Sequence, residues 1–236
     1  MKNLAKRFIT HGVLALLAFG TAYPQSPGRK LTVSRDNLCV TEGAIDKTTD
    51  GRLSINVPKM RAYVNTWTSP DVEARFTYLG PTAQESRLGS GQVRRQFGLK
   101  LRAQDPCNLV YAMWRIEPES KLVVSVKRNP GQHTSAECGN RGYQNIKPQR
   151  FTAVPLLRPG DSHVLRAEMS GENLRVFADD SVVWEGSVGP DAASLEGPVG
   201  MRSDNARLEL DFKVGEYVGV HPNYQIACKS GAEASE

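Results

Sequence analysis

The sequence predicts an all-β domain, folded as a sandwich of two antiparallel layers or as a barrel. Three observations carry this prediction. Apolar and polar residues alternate with a period of two through many short runs. Gly, Asp, Asn and Pro clusters separate those runs. Beyond the first residues, no window of helical length keeps a 3.6-residue period, so the chain lacks the pattern of an amphipathic helix.

The first residues carry a different signal. Lys2, Lys6 and Arg7 precede an apolar run at residues 13–19, followed by Gly20, Thr21, Ala22 and Pro24. A basic start, a short apolar stretch and small residues form a secretory signal, with cleavage expected after Ala22. A membrane-spanning helix needs about 20 apolar residues, and this run is far shorter. No cysteine near the cut suggests lipid attachment. The expected organisation is a signal peptide at residues 1–22, a polar leader at 23–30, one β domain at 31–229 and a small polar tail at 230–236. The expected location is therefore the periplasm or the cell exterior, with no membrane span in the mature chain.

Within the domain the alternation can be followed run by run. Val72, Ala74, Phe76 and Tyr78 share one face of residues 71–78. Phe97, Leu99 and Leu101 do so in 96–102, and Val110, Ala112, Trp114 and Ile116 in 109–117. Leu122, Val124 and Val126 follow in 121–128, after the turn Pro118-Glu119-Ser120. Residues 163–169 and 174–178 are joined by Ser170-Gly171-Glu172-Asn173, and Asp179-Asp180 turns the chain into 182–184. Leu208, Leu210, Phe212 and Val214 alternate with Arg207, Glu209, Asp211 and Lys213 as a half-buried strand. The expected core is Phe76, Phe97, Leu99, Trp114, Val124, Leu165, Val176, Trp184, Leu208 and Phe212. Residues 129–148 form the longest irregular stretch and read as a tethered surface loop, a place where function often sits.

Charge excludes one class of partner. The chain holds 30 Lys+Arg and 25 Asp+Glu, a net +5. Three of those basic residues lie in the signal, so the mature chain carries +2. A nucleic-acid surface needs concentrated basic charge, and no nucleic-acid partner is expected. The four cysteines, Cys39, Cys107, Cys138 and Cys228, are even in number and suit disulfides in an oxidising compartment. Cys107 and Cys138 flank a long hairpin, and Cys39 and Cys228 lie near the domain ends, so the preferred pairs are Cys107–Cys138 and Cys39–Cys228. No two cysteines have the short spacing of a zinc site.

A resemblance narrows the fold. His163-Val-Leu-Arg-Ala-Glu-Met, Gly171, Leu174-Arg-Val-Phe-Ala-Asp and Val182-Val-Trp resemble the strand–turn–strand signature of concanavalin A-like lectin/glucanase sandwiches, which include laminin-G-like domains. Gly197-Pro-Val-Gly-Met-Arg-Ser-Asp-Asn-Ala-Arg-Leu-Glu-Leu-Asp-Phe resembles their closing strands, and a similar pattern occurs in bacterial domains related to 3-keto-disaccharide hydrolases. The match covers roughly residues 160–215. It implies a jelly roll of two antiparallel sheets, one of them concave, in a group whose members bind or cleave glycans or bind proteins. It carries over no catalytic residue, because residues 60–150 match no catalytic motif.

Four constellations could carry chemistry. If Trp114 points inward, Tyr111, Met113 and Arg115 point to the other face. Lys100, Arg102, Ser125 and Lys127 then join them if their strands adjoin. Tyr stacks on a sugar and Arg grips a carboxylate with two hydrogen bonds, so such a face suits an anionic glycan. A solvated face kept soluble by cations has the same pattern. The second constellation is His133, Glu137, Arg141 and Tyr143 in the long loop. A His or Tyr base beside an Arg is what a lyase on an acidic polysaccharide needs; a polar loop fixed by a disulfide fits equally. His163 and His221 read as structural. The third is paired carboxylates for glycoside hydrolysis: Asp71 with Glu73, Glu209 with Asp211, and Glu117 with Glu119. The glucanase strand pattern E-x-D-x-x-E is absent, and solvated acids explain these pairs. The fourth is calcium, for which Asp179-Asp180 and Asp204-Asn205 supply hard oxygens. Asp and Asn favour turns in any case, and no cofactor is otherwise expected. There is no P-loop, dinucleotide fingerprint, G-x-S-x-G elbow, H-E-x-x-H pair or glycosylation sequon.

The function expected from these residues is a secreted, non-catalytic glycan-binding or surface-interaction module whose partner is a carbohydrate, including acidic polysaccharide. The candidate ligand residues are Lys100, Arg102, Tyr111, Arg115, Lys127, His133, Arg141 and Tyr143. The alternative is a polysaccharide lyase or glycoside hydrolase on the same fold, and a purely structural envelope domain is a third reading.

Overall fold

The computed structural model describes residues 29–219 and Cys228. The expected signal peptide, most of the polar leader and the tail lie outside the described residues. In chain order the strands are β1 (Lys30–Val33), β2 (Leu38–Glu42), β3 (Asp46–Lys47), β4 (Leu53–Ile55), β5 (Lys59–Val64), β6 (Thr68–Pro81), β7 (Arg95–Asp105) and β8 (Asn108–Glu117). They continue with β9 (Lys121–Lys127), β10 (Tyr143–Ile146), β11 (Arg150–Phe151), β12 (Ser162–Ser170), β13 (Asn173–Ala178), β14 (Ser181–Ser187), β15 (Gly200–Asp204) and β16 (Ala206–Glu216). Two single-turn helices, α1 (Ser135–Cys138) and α2 (Pro190–Ala193), complete the set with a 3₁₀ turn at Arg35–Asn37.

These strands make two antiparallel sheets packed face to face. The larger runs β11-β14-β13-β12-β6-β16-β4-β3, with β1 also paired to β16. The smaller, seven-stranded sheet runs β10-β9-β8-β7-β15-β5-β2. The all-β sandwich expected from the alternation is therefore the observed architecture. Every residue of the expected core is buried, and all but Trp184 have no exposed surface at all. The two sheets meet at an aromatic cluster. The Phe76 ring of β6 lies 5.1 Å from Phe97 of β7 and 5.8 Å, edge-on, from Trp114 of β8. Edge-to-face aromatic pairs add to the stabilisation that area burial gives.

Turn chemistry acts where the sequence placed it. Asp179 and Asp180 both adopt positive φ, 48° and 67°, between β13 and β14, a conformation Asp tolerates better than most residues. The Asp179 carboxylate accepts the Val164 N–H at 2.9 Å and pairs with His163 Nδ1 at 2.5 Å. This candidate calcium pair thus serves as a turn. Both disulfides join the cysteines that their positions in the chain pair, Cys39–Cys228 and Cys107–Cys138.

The stretch 129–148 differs from expectation. It is not irregular throughout: it holds α1 and the edge strand β10, which pairs with β9 from Tyr143↔Lys127 to Ile146↔Val124. Thr134 and Glu137 form a capping box on α1, an S/T-x-x-E signature that marks a helix start. The short strand β10 is hidden in the sequence by the glycines before it, which read as loop.

Replacing Phe76 with Ala should cost about 3–5 kcal/mol, because the ring leaves a cavity in the centre of the core. Urea unfolding followed by tryptophan fluorescence measures it.

Candidate functional site

The outer face of the seven-stranded sheet, away from the core, carries the candidate site. Register fixes who meets whom there. Lys100 of β7 lies opposite Tyr111 of β8 and Gly200 of β15, and Tyr111 lies opposite Ser125 of β9. Arg202 of β15 lies opposite Gly98 and Arg61. Gly98 is required at its position, since a Cβ there would stand 2.4 Å from the Ala112 carbonyl oxygen and 2.6 Å from Met113 Sδ. The face is low at that point, and Arg202 reaches across it.

A pair of stacked rings, with a cation beside each, crosses this face. The Tyr111 and Tyr143 rings are stacked with centroids 6.0 Å apart. Lys127 Nζ sits 5.0 Å from the Tyr143 centroid, and the Arg202 guanidinium lies 5.4 Å from that of Tyr111. Arg202 Nη1 also donates to the Tyr143 hydroxyl at 3.3 Å. Cation–π attraction of this kind grows as water is excluded, and Tyr111, Lys127 and Arg202 are all buried.

Beneath the stack lies a single carboxylate. Asp204 is fully buried and accepts from Arg61 Nη2 at 2.6 Å, Gln96 Nε2 at 2.6 Å and Arg202 Nε at 2.9 Å. Arg61 Nη1 donates in turn to the carbonyls of Met60 and Ser203, each at 2.9 Å. Burial alone would push the Asp204 carboxyl up, but the two guanidinium groups and the Gln96 amide outweigh it and hold its pKa far below the usual carboxylate range. Its neighbour Asn205 has φ 53° and points the other way. The Asn205 side chain accepts the Ser86 N–H at 2.7 Å and donates to the carbonyls of Ser86 at 2.8 Å and Arg94 at 3.0 Å. The second candidate calcium pair is thus an arginine anchor and a loop clamp. Among the described residues no group of three or more His, Cys, Asp or Glu side chains could hold a metal ion.

A cavity of about 330 Å³ opens over this floor. Tyr111, Tyr143, Arg115 and Arg202 line it from the strands, with Gln96, Met113, Ser125 and Asn145 between them. Arg94 and Gln92 line it from segment 82–94, and Asn140 from segment 128–142. No carboxylate and no histidine is among the lining residues. Three guanidinium groups therefore share one small space. Burial pushes the pKa of Arg94 down, Arg202 pushes it further and Asp204 opposes the shift. Burial likewise lowers Arg115, Arg94 adds to the effect and Glu119 opposes it. The Arg115 Nε is buried with no hydrogen-bond partner. Like charges held together in a partly desolvated space favour an incoming anion.

The sequence-derived candidates divide. Tyr111, Arg115 and Tyr143 line the cavity, Lys127 stacks on Tyr143, and Lys100 lies on the same face, buried beside Tyr111. Arg102 is not brought to it. The strand pairing shifts between Leu101 and Asp105, Arg102 has φ 47°, and its guanidinium donates to the carbonyls of Ala193 and Leu195. His133 is turned outward onto Asp105, Nδ1 to Oδ2 2.9 Å. Arg141 is spent on the carbonyls of Cys138 and Glu137 within its own loop. A period-two reading cannot detect the bulge that rotates Arg102 away. The candidate acid pairs lie elsewhere. Asp71 and Glu73 share Lys30, at 3.4 and 3.1 Å. Glu209 and Asp211 face Arg52, Glu117 pairs with Arg95, and Glu119 pairs with Lys121. Sequence reasoning missed Arg94, Arg202 and Asn140. Arg202 sits in the run beginning at Gly197, alternating with buried Met201 and Ser203, but only the strand order sets it against Tyr111.

No family model matches the chain, and no curated protein matches it. Solved structures similar in fold include the carbohydrate binding module CBM66 from Bacillus subtilis, at 14% identity and TM-score 0.49 over 74% of this chain and 91% of that one. The Emp46p carbohydrate recognition domain matches at 13% identity and TM-score 0.48, over 78% of this chain and 90% of that one. The Crh5 transglycosylase in complex with NAG matches at 10% identity and TM-score 0.48, over 81% and 86%. Likeness at these identities concerns the fold, and the site is read from this chain's own residues.

Asp204→Asn should destabilise the domain by about 3–5 kcal/mol, because buried Arg202 loses its carboxylate and buried Arg61 keeps only the longer, 3.8 Å contact to Glu42. A carboxyl whose folded pKa is depressed contributes stability above its unfolded pKa, ~3.9, and that stability is lost as pH falls towards the folded value. Unfolding free energy should therefore drop steeply below about pH 4 in the native protein and less steeply in Asp204→Asn. Urea melts across an acid series check both.

Proposed function

We propose that this protein is an exported, non-catalytic binding module for acidic glycans, and that the ligand occupies the cavity over the seven-stranded sheet. The observation that carries the reading is the composition of that cavity: three arginines and two stacked tyrosines, with no carboxylate among the lining residues. An arginine binds a carboxylate or sulfate group with two parallel hydrogen bonds, and Tyr143, the exposed ring of the stacked pair, offers aromatic surface to a sugar. Hydrolysis of a glycoside needs two carboxyl groups flanking the bond. The nearest buried acid, Asp204, is occupied by Arg61, Arg202 and Gln96. The two disulfides fit an oxidising compartment, as the leader sequence does.

One observation favours a second reading. The Tyr143 hydroxyl accepts from Arg202, and a tyrosine beside a cation can act as a base. In a lyase the ionised phenolate takes the proton next to a uronate carboxylate, the glycosidic C–O bond breaks as a C=C bond forms in the sugar, and the phenol returns that proton to the departing sugar oxygen.

Arg94→Ala or Arg115→Ala should each weaken binding of oligogalacturonate or a sulfated galactan oligosaccharide about 10- to 100-fold, the loss of one charge-assisted contact of ~1.5–3 kcal/mol. Affinity should also fall as salt is raised. Titration calorimetry on the mature protein reads both effects, and unchanged affinity in the two variants defeats the proposal. Ultraviolet absorbance of unsaturated uronate, followed in the same mixtures, should stay flat; a steady rise that Tyr143→Phe abolishes establishes the lyase instead.

A further inference from the structure

We infer that the cavity receives the end of an acidic glycan chain rather than its interior. The inference rests on the binding reading above and specifies how the ligand is presented. Three features of the outer face lead to it.

The first is a bridge over the sheet. The β7–β8 hairpin has Arg95 and Glu117 at one end and Asp105 and Asn108 at the other. Segment 82–94 runs into β7 at Arg95, so it rises from the first end. Segment 128–142 rises from the second: it follows β9 at Lys127, opposite Leu109, and is tied down by Cys107–Cys138 and by Asn108 Nδ2 donating to the Gln132 carbonyl. The two segments meet above the face. A Cβ added at Gly89 would stand 1.5 Å from Asn140 Nδ2, and both residues line the cavity. The bridge therefore runs along the strands. A polysaccharide laid across the strands would have to pass through it.

The second feature is that most of the face beyond the bridge is buried. On β5, β7 and β15 the outward-facing Arg61, Lys100, Arg202 and Asp204 are all buried, none more than 7% exposed. On the opposite side β10 is the last strand of the sheet, and its outward-facing Tyr143 and Asn145 are exposed. The exposed rim of the cavity is therefore on the β10 side, and buried side chains bound its far side. The third feature is size. A cavity of about 330 Å³ lies at the small end of the ~300–1,000 Å³ range of ligand pockets. It suits a terminal unit, not a run of sugars.

Both supports of the bridge are anchored, one by the Asn205 clamp and the other by a disulfide. The closure is built into the fold.

The test is a length series. Mature protein is titrated calorimetrically with galacturonate disaccharide, tetrasaccharide and octasaccharide, and with polygalacturonate before and after partial cleavage. A parallel series of sulfated galactan oligosaccharides distinguishes sulfate from carboxylate, and in whichever series binds the same pattern is expected. The inference predicts one protein per chain at every length, affinity that does not grow beyond the disaccharide, and polymer binding that rises with the number of ends created by cleavage. Several proteins per chain, increasing with length, overturns the inference and leaves the binding reading standing. Absence of binding to acidic glycans of every length overturns both.

Discussion

A single buried carboxylate organises the outer face of the seven-stranded sheet. Asp204 has no exposed surface, and a bare carboxylate in that place would cost several kcal/mol of solvation. Two guanidinium groups and an amide offset that cost, and in doing so they lose their own freedom. Arg61 is fixed across β5 and β15, and Arg202 is fixed beside Tyr111 and Tyr143. The next residue, Asn205, secures segment 82–94, which brings Arg94 over the same space. One tight turn between β15 and β16 thus sets both the floor and one rim of the cavity.

The electrostatic consequence follows from the count of charges on each side of that turn. Asp204 answers Arg61 and Arg202 from below, while Arg94 and Arg115 face the cavity from above with no acid among its lining residues. With Glu42 also 3.8 Å from Arg61, the site is asymmetric: compensated at its base and positive at its mouth. An anion binding there gains from groups already oriented, and little ordering of side chains is needed on binding. Tyr111 and Tyr143 supply the apolar surface that a purely ionic site would lack.

How much of this is legible in the sequence depends on the range of the interaction. Alternation in β6, β8 and β16 is a local property, so spacing alone assigns Phe76, Trp114 and Phe212 to the core. The side on which Tyr111 and Arg115 emerge follows from the position of Trp114. Arg94, Arg202 and Asn140 cannot be found this way, because their meeting depends on strand order and on two loops rising from opposite ends of a hairpin. Arg102 misleads for the converse reason: its spacing is right, but a bulge between Leu101 and Asp105 rotates it onto the Ala193 and Leu195 carbonyls. Asp204-Asn205 reads as a turn or a calcium pair, since sequence alone does not show two arginines arriving from β5 and β15.

The central claim is that this cavity holds the acidic group of a glycan against Arg94 and Arg115. The most direct measurement is a crystal structure of the mature protein with bound galacturonate disaccharide. It should show the carboxylate within hydrogen-bond distance of Arg94 and Arg115, with a sugar ring against Tyr143. A disaccharide seated on the outer face of the larger sheet, with the cavity still empty, would contradict it.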